Sequence, residues 1–312
     1  GNPTAAQLKI INDSIDGAIV VPSKAVALSD SAAVLAAALT GTVTDAASAK
    51  IEGNVTISSA PTEAELKTIN DGTNASLQIP AANQTFSASA AVLAAALTGT
   101  VTGPGSAALS GAVTVDDSAT DNVAATLLST IATGTGGVVT VTSAVNITGS
   151  TAQVIAALDT NGVIAATATI TLDDTPSLAN LKTINDATAG SIKIASGSQT
   201  YSGTAAVLAA ALDGTVTDGS GNPLTGNMTL TAAGGNPNAV QLQTINNATT
   251  GSVIIPDKTV TLSGTRAVLV EALAGTVTNA ASEKITGTVT ISAGGGNPTA
   301  AQLKIINDSI DG

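Results

Sequence analysis

Acidic side chains crowd together at Asp116–Asp117 and Asp173–Asp174, with Asp121 close behind the first pair. Clustered carboxylate oxygens are the ligands that Ca²⁺ takes, and paired carboxylates can hydrolyse glycosides without a histidine. Both pairs fall at expected strand-to-helix junctions, where Asp serves equally as a cap and as a partner for the helix dipole. No EF-hand loop and no glycine-aspartate nonapeptide surrounds them. The remaining acids, from a total of five Glu and seventeen Asp, lie mainly in caps and loops. The sequence therefore predicts no catalytic constellation, no enzyme and no cofactor, with Ca²⁺ at Asp116, Asp117, Asp121, Asp173 and Asp174 as the one metal to weigh.

Composition removes other chemistries. There is no His and no Cys, hence no imidazole base, thiolate nucleophile, disulfide or preferred zinc ligand. Ten Lys and Arg are scattered singly in a chain of net charge −12, so no basic stripe exists to meet nucleic acid or an anionic membrane. The longest apolar runs, such as "AAVLAAAL" at 32–39, are far shorter than the roughly 20 residues a bilayer span needs. "GTGG" at 134–137 and "AGGGN" at 293–297 lack the Lys-Ser/Thr of a phosphate loop and read as turns. Asn12, Asn54, Asn74, Asn83, Asn146, Asn227, Asn247 and Asn307 each open a glycosylation sequon, although a chain this rich in Ser and Thr produces such matches by accident.

Repetition dominates the rest. Residues 1–17 and 296–312 are identical, so the sequence reads as one period of 295 residues followed by the start of the next. Within it an L-x-x-I pair recurs at Leu8/Ile11, Leu66/Ile69, Leu128/Ile131, Leu181/Ile184, Leu242/Ile245 and Leu303/Ile306. "AAVLAAALTGTVT" at 32–44 likewise returns at 90–102, 152–164, 205–217 and 266–278 in altered forms. The modules are residues 1–59, 60–118, 119–173, 174–233 and 234–295, with 296–312 as the first helix of another block. The third is divergent: it reads as one residue short in its second helix and carries "IATGTGG" where its neighbours have "IND".

Each module reads as helix, hairpin, helix, hairpin. The first helix is expected to start with an N-cap followed by Pro at Asn2–Pro3, Thr175–Pro176 and Asn236–Pro237, and with a capping box at Thr62–Glu65. Its L-x-x-I pair should form the packing seam, at Leu8, Ile11, Leu66, Ile69, Leu181, Ile184, Leu242, Ile245, Leu303 and Ile306. The Ala-rich second helix should end at Gly41, Gly99, Gly214 and Gly275, in the left-handed conformation. Both helices are too short to persist alone and need a sheet to pack on. "SVIIPDKTVTLSG" at 252–264 has a Pro-Asp turn between alternating runs, a hairpin pattern. In "TVTIS" Val and Ile share one face and Thr the other.

These elements predict an α/β repeat protein, a two-layer solenoid with a continuous sheet, helices on one side and a Thr ladder on the other. The alternative is separate ferredoxin-like beads, since a circular shift of the module gives β-α-β-β-α-β. At the chain ends, Leu303 and Ile306 are expected to face the preceding hairpin, whereas Leu8 and Ile11 have none to face. The Thr rows resemble those of ice-binding solenoids. The Ala/Thr/Gly-rich, Cys-free array resembles the tandem-repeat regions of giant bacterial cell-surface proteins, particularly cyanobacterial ones. That resemblance implies an extracellular or cell-surface filament built from copies or blocks of this unit, with a surface adhesin or ice-binding module as the alternative.

Overall fold

A computed structural model describes residues 2–292 and 297–311, so all of the "AGGGN" piece except Asn297 lies outside the described residues. The protein is a mixed α/β chain in which eleven α-helices alternate with strands of two to four residues. It divides into two compact units, one comprising Gly1–Val145 with Ala156–Ala165 and the other Asn146–Ile155 with Ala166–Gly312. The division falls inside the divergent third module.

Helix starts follow capping chemistry. Thr4, Thr62, Asn238 and Thr299 accept a bond from the third helical amide, and Gln7, Glu65, Gln241 and Gln302 reach back to the cap. The Thr62–Glu65 box is as expected. The Pro-based starts are corrected: the caps are Thr4, Ser177 and Asn238, so each Pro sits just before the cap. The side-chain oxygen that can satisfy an orphan amide decides the start, and the fixed φ of Pro suits the extended residue ahead of it. Gly41, Gly99, Gly214 and Gly275 adopt φ of +81°, +79°, +73° and +74°, the left-handed turn that ends each Ala-rich helix.

The hairpins are corrected more deeply, because the paired strands run parallel. In the first unit Ile19–Val21 pairs with Val43–Asp45; Leu28–Asp30, Val55–Ile57, Leu77–Gln78 and Val101–Thr102 lie side by side; and Phe86–Ala88, Val113–Val115 and Val139–Val141 form a third sheet. In the second unit Asn146–Gly149, Thr169–Leu172, Ile192–Ile194 and Val216–Asp218 are successive neighbours. Tyr201–Gly203, Met228–Leu230, Val253–Ile255 and Val277–Asn279 form another sheet, and Leu262–Gly264 pairs with Val289–Ile291. The two strands of "SVIIPDKTVTLSG" thus belong to different sheets, and Pro256–Asp257 turns a corner. The second turn of a module keeps one antiparallel bridge, as at Thr44–Lys50. Strands of three residues make a marginal hairpin, whereas stacking gives an interior strand a neighbour on both edges.

Two consequences follow for the expected layouts. The sheet is not continuous but broken into short pieces. Separate beads are also excluded within the units, since Val55–Ile57 of the first module pairs with Leu77–Gln78 of the second, and Met228–Leu230 of the fourth with Val253–Ile255 of the fifth. Parallel neighbours require a crossover, and the helices supply it. Ala5–Ser14, Ala32–Leu39, Glu63–Gly72, Ala90–Leu97 and Ala125–Thr133 each pack on the next, as do Leu178–Ala187, Ala205–Ala211, Ala239–Asn247, Arg266–Ala272 and Ala300–Asp308.

Inward strand residues meet inward helix residues in a core of Ala, Val, Ile and Leu. The few large side chains, Phe86, Tyr201 and Met228, are all buried there. The Tyr201 hydroxyl donates to the Pro176 carbonyl at 3.3 Å, and burial pushes its pKa up to about 12. Such a thin core allows very close backbone approach. A Cβ on Gly190 would stand 2.0 Å from the Ala168 carbonyl oxygen, so only glycine fits there. The divergent module is also corrected. Buried Leu39 and Val43 are four residues apart, but their counterparts Leu158 and Val163 are five apart, and the extra residue is absorbed in a π-turn at Ala156–Thr160.

Candidate functional site: the repeat junctions and the two open faces

The acidic residues act locally. Asp117 accepts from the Ala90 amide at 2.7 Å, and Asp174 from the Thr151 amide at 2.9 Å, so each caps a helix that lies over twenty residues earlier in the chain. Ser59 does the same for Ala32 at 3.0 Å. Asp116 accepts from the Ser87 hydroxyl at 3.2 Å and Asp121 from the Ser118 amide at 2.9 Å, while the Asp173 amide donates to Gly149 O. Among the described residues no three acidic side chains converge as a metal site would need. The carboxylates with displaced pKa values, Asp218, Asp257, Glu271 and Glu283, are all lowered by hydrogen-bond donors: chiefly Asn222, Thr259, Gln243 and Lys258 respectively. That is opposite to the raised pKa of a general acid.

What the geometry does build is a repeated junction. In four copies, the Asn that follows the L-x-x-I pair donates its side-chain amide to carbonyls at the end of the next helix. Asn12 reaches Ala37 O and Thr40 O, both at 2.8 Å; Asn70 reaches Ala95 O and Thr98 O, both at 2.7 Å; Asn185 reaches Ala210 O at 3.1 Å; and Asn246 reaches Glu271 O at 2.7 Å and Ala274 O at 2.6 Å. Those carbonyls have no intrahelical partner, so the amide satisfies groups that would otherwise be orphaned. Three residues on, the buried hydroxyls of Thr73, Thr188 and Thr249 donate to Ile51 O, Ala168 O and Gly226 O, at 2.9, 2.6 and 2.7 Å. The spacing was visible in "IND" and "INN", but it reads from sequence only as a helix end. The divergent module has Ala132 at the Asn position and so lacks this rung.

Several sequon asparagines are hydrogen-bonded in other ways. Asn227 accepts from the Ser252 amide at 3.0 Å, Asn146 from the Thr171 hydroxyl at 2.8 Å, and Asn247 donates to Glu271 at 3.1 Å. Exposed ion pairs also cross the junctions, Lys24 with Glu52 at 2.9 Å and Lys258 with Glu283 at 2.8 Å. Pairs this exposed are screened by solvent and contribute little to stability.

Of the expected packing residues, Leu66, Ile69, Leu181, Ile184, Leu242 and Ile245 are buried. The two identical ends behave differently, and in complementary fashion. Leu8 is 1 % exposed and Ile11 43 %, whereas Leu303 is 45 % exposed and Ile306 5 %. Leu8 is thus a correction: it is buried on a helix that packs on Ala32–Leu39 and on strand Leu28–Asp30. Leu303 is a second correction, since of the expected pair only Ile306 is buried. The open face at the start exposes Ile11, Ile15 and Val20. The one at the end is a groove of about 570 Å³ lined by Val289, Ile291, Leu303, Ile306 and Ile310.

The outward strand positions carry the Thr rows. Thr114 stands beside Thr140 and Thr148 beside Thr171, but Gln78, Lys193 and Ile254 interrupt the series. No described helix is long and apolar enough to cross a membrane. No protein-family model matches this chain, and neither a curated protein nor a solved structure is significantly similar to it.

Proposed function

We propose that the protein is a structural building block of an extended filament, extracellular or at the cell surface, and that it works by stacking rather than by catalysis. The observation that carries this reading is that strands of one module pair with strands of the next, as Val55–Ile57 does with Leu77–Gln78 and Met228–Leu230 with Val253–Ile255. Within each unit every paired strand finds its neighbour 22 to 27 residues along the chain, the behaviour of a two-layer solenoid, in which each turn rests on the ones beside it. Load is spread over many Asn, Thr and Gly junctions, and neither nucleic acid nor a metal is part of this scheme.

The test is the intact mass of the native material, together with negative-stain microscopy. A long particle, from a long chain or from many copies, is the expected result. A monodisperse native species of 29.8 kDa overturns it. The parallel Thr rows favour a second reading, a surface adhesin or ice-binding face. Replacing the exposed Thr288 and Thr290 with Lys should leave filaments intact; loss of thermal hysteresis in a folded variant would instead support ice binding.

A further inference from the structure

Asn161 and Gly162 form the one Asn-Gly dipeptide in the chain, and the fold places it directly after the π-turn Ala156–Thr160 of the divergent module. The Gly162 amide donates to no acceptor among the described residues, and the Asn161 side chain has no partner there. Gly162 is exposed with φ of +66°, and nothing stands within 4 Å of the place a Cβ would take. An asparagine with a free side chain, followed by an unhindered and unbonded amide nitrogen open to water, is set up to react with its own backbone.

The other asparagines are held back. The side chains of Asn12, Asn70, Asn185 and Asn246 are tied to helix-end carbonyls, and the amides that follow them lie inside helices, each committed to the carbonyl four residues back. Asn54 and Asn74 are exposed, but the next amides are bonded, Val55 to Ser76 O at 3.0 Å and Ala75 to the Thr73 hydroxyl at 2.6 Å. Because Ala132 stands at the rung position, the helix end just before Asn161 receives no Asn tie. The fourth module shows that the reach is sufficient. There Asp213, a side chain of the same length, precedes the left-handed Gly214 of φ +73°, and the Gly214 amide donates to its carboxylate at 3.1 Å.

We propose that Asn161–Gly162 is a self-modifying site that deamidates in the folded protein. The Gly162 nitrogen bonds to the side-chain carbonyl carbon of Asn161, the carbon–nitrogen bond of the side-chain amide breaks, and ammonia departs with the proton that the Gly162 nitrogen gives up. Water then adds across either carbon–nitrogen bond of the succinimide and leaves aspartate or isoaspartate. Aspartate places a negative charge at a helix C-terminus, where the dipole opposes it. Isoaspartate adds a methylene to the main chain just before Ile164, whose amide donates to Val139 O at 3.0 Å and whose carbonyl accepts from the Val141 amide at 2.8 Å. The site therefore loosens that strand bridge as the protein ages, whether or not the chain builds a filament.

The test incubates the folded protein in warm, mildly alkaline buffer beside the same protein unfolded in urea, with intact mass and peptide mapping as readouts. The expected result is one gain in mass, that of OH replacing NH2, localised to residue 161, with isoaspartate detected by isoaspartyl methyltransferase. Its rate in the folded chain should lie within several-fold of the rate in urea. A folded chain that stays unmodified while the unfolded one converts overturns the proposal, as does deamidation spread evenly over the rung asparagines. Asn161→Gln, whose longer side chain disfavours the ring, and Gly162→Ala should each abolish the gain. A gain that persists in folded Asn161→Gln overturns the assignment, and that variant serves if Gly162→Ala misfolds. Hydrogen exchange at Val141 and Ile164 should be faster in aged than in fresh material; equal exchange overturns the loosening of the bridge.

Discussion

Residues 4–15 and 299–310 have one sequence and two environments. Their local structure is the same: a Thr cap with a reciprocal Gln, a helix of nine or ten residues, and an ion pair one turn apart, Lys9–Asp13 in one and Lys304–Asp308 in the other. Their burial is inverted, because among the described residues the first copy packs on the coil after it and the last on the coil before it. The helix therefore has two packing sides that serve different neighbours. The side with Ala5 and Leu8 meets the following coil, and the side with Ile306 meets the preceding one. Interior copies such as Leu181 and Ile184 need both.

The sharpest way to break this comparison is to truncate the apolar residues. Leu181→Ala, Leu8→Ala and Ile306→Ala should each cost about 2–5 kcal/mol in chemical denaturation, whereas Ile11→Ala and Leu303→Ala should cost less than about 1 kcal/mol. Equal losses at Leu8 and Leu303 would show that the two ends are packed alike. Backbone contact comes next. Gly190 and Gly251 press against the preceding coil, but Gly17, at the same position in the first copy, has nothing within 4 Å of an added Cβ. Gly190→Ala should thus lower stability by about 1–3 kcal/mol, while Gly17→Ala should be neutral or raise the melting point slightly through the unfolded state.

Smaller effects sharpen the picture. Asn70→Ala leaves two helix-end carbonyls without a donor and should cost about 1–3 kcal/mol, against no measurable change for Asn307→Ala in the isolated chain. The smallest effect should be the same at both ends. Lys9→Ala and Lys304→Ala each remove a pair worth about 0.2–0.5 kcal/mol, and helix content by circular dichroism should fall equally in the two variants.

Much of the helical layer was legible in the sequence because its signals are local. The L-x-x-I period, the Thr62–Glu65 box and the glycines that end the Ala-rich helices all act within one or two turns. Strand partners were not legible. Pro256–Asp257 between alternating runs has the chemistry of a turn, and nothing within those thirteen residues says whether the flanking strands meet each other or meet strands one coil away. The Asn rungs were hidden for the same reason, since the acceptors of Asn70 lie 25 and 28 residues further on. The acidic pairs looked like ligands, yet Asp117 and Asp174 are caps for helices that sequence proximity does not reveal.

The sequence by itself determined that short helices alternate with strands, where the Ala-rich helices of the regular modules stop, which strand residues face inward, and that the chain repeats. Each of these depends on dihedral preferences and hydrogen bonds among residues within about four positions of each other, and the identical ends prove it by folding locally alike. Only the tertiary structure decided that the strands are parallel, that one module's strands pair with the next module's, and that Leu8 is buried while Leu303 is not. The reason is that apolar burial is a property of neighbours. One sequence has two apolar sides, and which of them water reaches is set by the coil that stands beside it.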